Sequence, residues 1–453
     1  MKNAVLMTAF LLVFLQEVCG QQWEKLGNGI SVTFGAPKDL FGDSASGKLY
    51  AVGVFPVPNF FTQKVLSWNG SEWDSVGTID STLVGIPQAI ARYDNNLYLT
   101  GAFPSVGNVP ANNIAYWDGA NWNSIAEEPN GGGLTLAAIY NELYVGGVFD
   151  SIGTIRSPSI AKWDGTQWHA LGYGIVTSSG NPAYIHTIAE YHGNIYVGGT
   201  FTDSATGAPL NLLRFNGTNW EHVPGWTNGT NSFIQALAVY HDELYVGGQF
   251  FKSEGSLGDH IVKWNDTTWS EIGGAGFTIR KLLVYHDELY ACGDFSTIGG
   301  IPASHIAKWN GSKWCNLGND YFDNGITEMT IWNDTLYIGG GFQTIEGDTF
   351  HHVAKWIGGD YTDSCGAPVS VSEIHQDNFF FSVFPNPSND EFTLATFQNG
   401  QLTITNELGQ AIQSFTIHER QIKILSTKFP SGNYFLTFQT SKNIQTKKLL
   451  IQH

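Results

Sequence analysis

The chain is organised by a phrase that returns seven times. A Leu-Tyr or Ile-Tyr pair recurs with its tyrosine at Tyr50, Tyr98, Tyr144, Tyr196, Tyr245, Tyr290 and Tyr337, 45 to 52 residues apart. A period in that range belongs to units that cannot bury their own faces and must stack against one another. The pairs open stretches such as LYVGGVF (Leu143 to Phe149) and LYVGGQF (Leu244 to Phe250), where β-formers run into paired glycines. This is the pattern of a strand ending where two backbones approach closely. An aromatic follows each tyrosine by 19 residues, or 18 in the first unit, and it is tryptophan everywhere except Phe215.

Four strands per unit follow from this pattern. In the fifth unit they are Gln235 to Tyr240, Glu243 to Phe250, His260 to Asn265 and Thr268 to Gly273. Asn-Gly and Asp-Gly pairs, as in IAKWDGTQWHALG from Ile160 to Gly172, mark a two-residue hairpin with both central residues at positive φ. The Asn-X-Ser/Thr triplets at Asn69, Asn216, Asn228, Asn265, Asn310 and Asn333 are expected to be mostly turns rather than glycosylation sites. WEKLG, beginning at Trp23, reads as a fourth strand without its first three, while the seventh unit lacks a second tryptophan after Trp356. The expected fold is therefore all-β, a seven-bladed β-propeller over residues 21–366 closed by the N-terminal strand. Thirteen of the 15 tryptophans occupy repeat positions, which assigns them to packing between blades. Only 14% of residues are charged and 53 are glycine, a composition with many turns and little material for helix surfaces.

The ends differ from this body. Residues 1–20 pair Lys2 with an apolar run from Ala4 to Leu15 and read as a signal peptide; no other run is long enough to span a membrane. Residues 367–378 read as a linker, and residues 379–453 alternate apolar and polar positions as a small β-sandwich. The net charge of −18 resides in the repeat region and argues against binding nucleic acid or anionic lipid. Of the three cysteines beyond the signal, Cys315 and Cys365 are the disulfide candidate, because Cys292 stands where other repeats place a packed glycine.

The repeats resemble kelch-type propeller repeats, in which a strand ending in double glycine is followed by spaced aromatics. The C-terminal segment resembles the sorting domain of type IX secretion substrates, through Pro385, Asn386 and Pro387, the LTITNELGQ run through Gly409, PSGNYFL with Gly432 and Tyr434, and Lys447-Lys448 near the end. That resemblance implies a Bacteroidetes-type source, recognition by the type IX machinery, and passage through the periplasm to the outer-membrane surface or the medium.

Chemistry is sparse. The spacing from the last-strand tryptophan to the next repeat tyrosine varies from 21 to 28 residues, so sequence variation gathers in loops on one face. Counting five residues back from the aromatic that ends each inner strand gives a channel-mouth ring of Gln88, Thr135, His186, Gln235, Arg280 and Thr327, with Lys38 as a looser counterpart. This ring has no carboxylate, and Glu328 and Asp39 fall one step away, so the pair of facing acids that a glycosidase needs is not expected. His260, His305 and His352 occupy one position in three successive units, too far apart for a single ion, and no metal or cofactor is expected. The reading is a monomeric secreted or surface binding protein for a glycan or protein ligand. Its candidate contacts are His186, Gln235, Arg280, Tyr184, Trp226, Phe277, Tyr321 and Phe322, with Tyr173 nearby. The alternatives are a polysaccharide hydrolase or lyase and a purely structural surface protein.

Overall fold

The computed structural model describes residues 22–30, 35–57, 60–77, 85–203, 206–226, 232–251, 258–317, 320–358, 381–384, 388, 390–396, 399–406, 409–418, 421–440 and 444–452. Two compact units divide the chain, Met1–Pro368 and Val369–His453. The signal segment, the linker, Asn228, Cys365 and Pro385-Asn386-Pro387 lie outside the described residues.

The first unit is a β-propeller. Among its described residues, seven four-stranded antiparallel sheets follow one another along the chain. Their innermost strands are Pro37–Asp43, Ile86–Tyr93, Gly132–Ile139, Tyr184–Tyr191, Phe233–Tyr240, Ile279–Tyr285 and Ile326–Trp332. The fourth strand of the seventh sheet comes from the other end of the unit: Trp23–Lys25 pairs antiparallel with Val353–Trp356, with Trp23 opposite Trp356. The first and seventh sheets also share a core, in which Leu40, Leu49 and Trp68 meet Trp332, Tyr337 and Val353. The other cores likewise lie between neighbouring sheets, as where Tyr245 and Ile261 of the fifth meet Leu289 and Trp309 of the sixth.

The double glycines serve two different contacts. A Cβ on Gly247 would sit 2.6 Å from Ile279 Cγ2 of the next sheet, whereas one on Gly248 would sit 2.2 Å from Phe233 O of its own inner strand. The first glycine thus lets sheets approach, and the second lets the second strand cross the inner one beside a β-bulge. Gly198-Gly199 and Gly339-Gly340 repeat the arrangement.

Fourth-strand tryptophans lock neighbours together. The indole N–H groups of Trp122, Trp168, Trp220, Trp269 and Trp314 donate to the carbonyls of Val76, Ala126, Leu171, Pro224 and Ile272 in the preceding sheet, at 2.7 to 3.2 Å. Both ring packing and a satisfied polar tip therefore hold these five junctions.

The turn chemistry differs from expectation. In the outer hairpins one residue has positive φ, Gly165 at 98° or Asp266 at 70°, and Asp164 sits one place before Gly165, where its Oδ1 accepts the N–H groups of Thr166 and Gln167. Asn69, Asn216, Asn265 and Asn310 hold the same post. Two consecutive positive φ values occur instead in the inner hairpins, at His241-Asp242 (49° and 61°), His286-Asp287 (48° and 59°) and their counterparts. The mirror-image turn thus sits where strands with no residues to spare must reverse.

The second unit holds a three-stranded and a four-stranded antiparallel sheet that share one core, including Phe392, Leu394, Leu402, Ile404, Leu436, Phe438 and Leu449. Tyr434 is buried there, with its hydroxyl donating to Pro430 O and its ring against Phe429. Gly409 turns at φ 76°, Gly432 opens the strand Gly432–Gln439, and Lys447 and Lys448 lie on Ile444–Ile451.

Candidate functional site

Every inner strand carries a bulge at the same place, and the displaced residues are Lys38, Gln88, Leu134, His186, Gln235, Arg280 and Thr327. The bulge falls on each position counted from the sequence except in the third sheet, where it displaces Leu134 rather than Thr135. Tyr140, from which that position was counted, is an exposed turn residue at φ 51°, and Ile139 ends the strand. A bulge re-aims side chains, so two successive residues can both reach sideways. Arg280 does so toward the fifth sheet, where Nη1 donates to Gln235 Oε1 at 3.1 Å, while Nε and Nη2 bind Asp294 of its own sheet at 2.9 and 2.6 Å. His186 Nε2 lies 3.4 Å from Thr200 Oγ1. Burial, and then the Arg280 charge, push the imidazole down to about 4, so it is neutral at pH 7.

Lys281 reaches the opposite way. Its Nζ lies 2.7 Å from Glu328 Oε2 of the seventh sheet and 3.5 Å from Asp39 Oδ1 of the first, and Asp39 Oδ2 accepts the Ile90 N–H of the second. These three residues occupy the same register in three consecutive sheets, where the other sheets carry Ala89, Thr135, Thr187 and Ala236. The expectation that no two carboxylates stand at similar depth fails here, because the place after the bulge also reaches neighbouring sheets. Burial raises Glu328 to about 7 against the pull of Lys281, with Asp39 pushing it further up; burial likewise raises Asp39. The two acids outweigh desolvation at Lys281 and keep it protonated. The two carboxyl groups thus converge on a single ammonium, an ion-pair triad that joins three sheets.

The remaining candidates separate by burial. Tyr184, Phe277, Tyr321 and Tyr173 are exposed. Trp226 and Phe322 are not: the Trp226 indole N–H donates to Leu210 O and its ring packs on Phe250 and Trp269, while Phe322 is wedged between Trp23 and Phe342. Both are loop anchors with no ring face to offer a ligand. His260, His305 and His352 turn their Nδ1 to Gly248 O, Gly293 O and Gly340 O within their own sheets, at positive φ values of 67°, 66° and 77°. No group of three metal-ligating side chains occurs among the described residues. Cys315 is disulfide-bonded and Cys292 is a buried free thiol whose pKa burial raises. No helix among the described residues is long and apolar enough to cross a membrane.

Sequence reasoning missed Phe251 and Phe233. Phe251 is exposed and packs edge-on against His260 with ring centroids 4.9 Å apart; His260 in turn lies 6.2 Å from Phe277. Phe233 is half-buried and meets His186 at 6.5 Å, the same separation as Tyr184 from His186. The signal was available by aligning the units residue for residue, since Phe251 stands where sister units have Asp150, Thr202, Ser296 and Gln343, and Phe233 where others have Gly132, Thr278 and Gly325.

Residues 382–452 match the secretion system C-terminal sorting domain. The second unit is a sorting domain of that class, which implies recognition by the type IX secretion machinery and export to the cell surface or beyond. No curated protein matches the chain. Among solved structures, the type IX surface component PorZ of Porphyromonas gingivalis is similar at 14% identity and TM-score 0.46; the match covers 90% of this chain and 58% of PorZ. This chain thus spans little more than half the length of that protein. The β-propeller domain of the Trilobed protease from Pyrococcus furiosus is similar at 10% identity and TM-score 0.45, over 73% of this chain and all of that domain. Xyloglucan PUL GH43B of Bacteroides ovatus is similar at 12% identity and TM-score 0.30, over 94% of this chain and 92% of its own. All three are too distant in sequence and too loose in superposition to carry a site or an activity across.

Proposed function

We propose that the chain is an exported binding protein whose first unit is a seven-bladed, kelch-like ring clasped by Trp23–Lys25, with a glycan or protein ligand held at the channel mouth. The pairing of Trp23 with Trp356 and the shared core of the first and seventh sheets support the clasp. The observation that carries the binding reading is the bridge across the mouth, where Gln235 and Arg280 of adjacent sheets are hydrogen-bonded and His186 is near enough to feel the Arg280 charge. These groups are polar, partly open and fixed in place, which is the arrangement a site uses to orient a ligand.

The test is retention of the full chain on immobilised polysaccharides and proteins, with Gln235→Ala and His186→Ala compared with the parent. Weaker retention in both variants supports the mouth as the site, and unchanged retention removes it. Export is tested by deleting residues 382–452: the truncated protein should stay in the periplasm, and normal surface display would overturn the assignment.

One observation favours the hydrolase or lyase alternative, namely the convergence of the Glu328 and Asp39 carboxyl groups on Lys281, with burial raising Glu328 to about 7. Polysaccharide cleavage by the parent chain that disappears in Glu328→Gln would establish it over simple binding.

A further inference from the structure

The repeat supplies its own control for what the fold needs. At the position of Phe251 the second, third, fourth, sixth and seventh sheets carry Pro104, Asp150, Thr202, Ser296 and Gln343, each following the buried phenylalanine that ends its double-glycine strand. At the position of Phe277, two before the aligned residues of the inner strands, the second to fifth and seventh sheets carry Gly85, Gly131, Ala183, Ser232 and Asn324. One place further on, Tyr184 and Phe233 stand where other sheets have Ile86, Gly132, Thr278 and Gly325. Neither folding nor packing therefore calls for aromatic rings at these places. The rings occur on three consecutive sheets, the fourth to the sixth.

Three of these four rings are also exposed. Phe251, Phe277 and Tyr184 are 52%, 51% and 51% accessible, so the alternative of rings tucked beneath their own loops does not hold. Phe251 and Phe277 are steadied by His260, itself buried and anchored to Gly248 O, which gives a fixed platform. Tyr184 and Phe233 flank His186 nearer the mouth. Between the two groups lie hydrogen-bonding residues of the fifth and sixth sheets, with Thr278 Oγ1 at 3.4 Å from Gln249 Oε1 and Arg280 bound to Gln235.

Charge selects the ligand. His186 is neutral at pH 7, burial lowers His260, and Asp294 offsets Arg280, so the strip has donors and acceptors without net charge. The chain as a whole carries −18 and repels polyanions. Flat apolar faces alternating with neutral polar groups match a polyhydroxylated chain, whose sugar rings have one C–H face and a rim of hydroxyls.

We infer that the strip Phe251, Phe277, Gln235, Arg280, Phe233 and Tyr184 binds a neutral polysaccharide, laid from the outer platform toward the channel mouth across the fourth to sixth sheets. The inference rests on the binding reading above and names its ligand class.

The experiment is affinity electrophoresis of the full chain in gels containing xylan, galactomannan, mixed-linkage β-glucan or polygalacturonate, with immobilised gelatin as a protein arm. Phe277→Asn and Phe251→Ser place residues that the seventh and sixth sheets already carry at these positions, so the fold tolerates them; unchanged melting temperature checks this. The expected result is retardation by at least one neutral polysaccharide, weakened about fivefold to tenfold in each variant and restored in Phe277→Trp, with Tyr140→Ala in an inner-hairpin turn unaffected. Equal retardation of the parent and both phenylalanine variants overturns the strip. Binding to polygalacturonate or gelatin alone overturns the ligand class while the binding reading stands, and retention by none of the five removes both.

Discussion

Lys281 and Glu328, on neighbouring inner strands, form a 2.7 Å ion pair that Asp39 of a third sheet completes. Two acids share one ammonium, so the cluster carries a surplus negative charge once Glu328 ionises. An acid raised in the folded state holds its proton where the unfolded chain has lost it, so stability falls as pH climbs from the ordinary glutamate value of 4.5 to about 7. Glu328→Gln should flatten the decline of melting temperature across that window. A parallel decline in both proteins would show that the triad is not its source.

Removing the cation should cost more than removing one acid. Lys281→Met leaves two neighbouring carboxyls without a partner, and we expect a loss of about 2 kcal/mol, below the ~3–5 kcal/mol of a fully buried pair because Lys281 is partly open to solvent. Urea unfolding of Lys281→Met, alone and combined with Glu328→Gln, measures it; the double variant should recover part of the loss.

On the inner hairpins His192 bridges Asp242 at 2.9 Å and Asp266 at 2.7 Å, and these hydrogen bonds raise its pKa. A base raised by folding contributes fully below its unfolded value near 6.5, and the contribution fades as pH rises through the folded value. His192→Gln should therefore lower the melting temperature at pH 5.5 and leave it nearly unchanged at pH 9. A deficit of equal size at both values would count against the charge.

Trp314 and Trp23 are both buried, but of the two only Trp314 has a bonded indole, at 2.7 Å from Ile272 O; the Trp23 N–H has no acceptor among the described residues. Substitution by phenylalanine removes similar volume from each. Trp314→Phe should be the costlier by about 1 kcal/mol, read as the difference between the two in chemical denaturation.

Gly248→Ala should cost about 2 kcal/mol or more, because the new Cβ would meet Phe233 O at 2.2 Å and the bulged strand must move. Gly193→Asn should be nearly silent: that glycine, at φ 77°, has open space around it, and Asn95 and Asn141 hold the matching position at 63° and 61°. Thermal unfolding separates the two.

Sequence reasoning reached the repeat and the four-strand unit because both are written in local periodicity, and the C-terminal sorting domain through the resemblance of its ordered motifs, from LTITNELGQ to Lys447-Lys448. The channel lining was only partly legible. Gln235 and Arg280 could be found by counting, but the count failed at Thr135, since Tyr140 looks like a strand-ending aromatic and is a turn residue. Asp39 and Glu328 looked out of register because strict alternation sends adjacent side chains to opposite faces, and only the bulge relaxes that rule. Trp226 and Phe322 read as surface rings because nothing in a loop sequence reveals which aromatic pins the loop down. Phe251 escaped because it follows a repeat phenylalanine and passes for part of it.

The pairing of Trp23–Lys25 with Val353–Trp356 joins segments far apart in the chain, and Glu24 and Lys355 within it are 331 residues apart. During synthesis the early strand emerges long before its partner exists, so the seventh sheet can be completed only at the end. The intervening sheets can assemble in order from local contacts, while the last step waits on the longest loop closure in the unit. Until then an unpaired edge is open to wrong partners. The vulnerable stage of the first unit is thus the interval before Trp23–Lys25 meets Val353–Trp356.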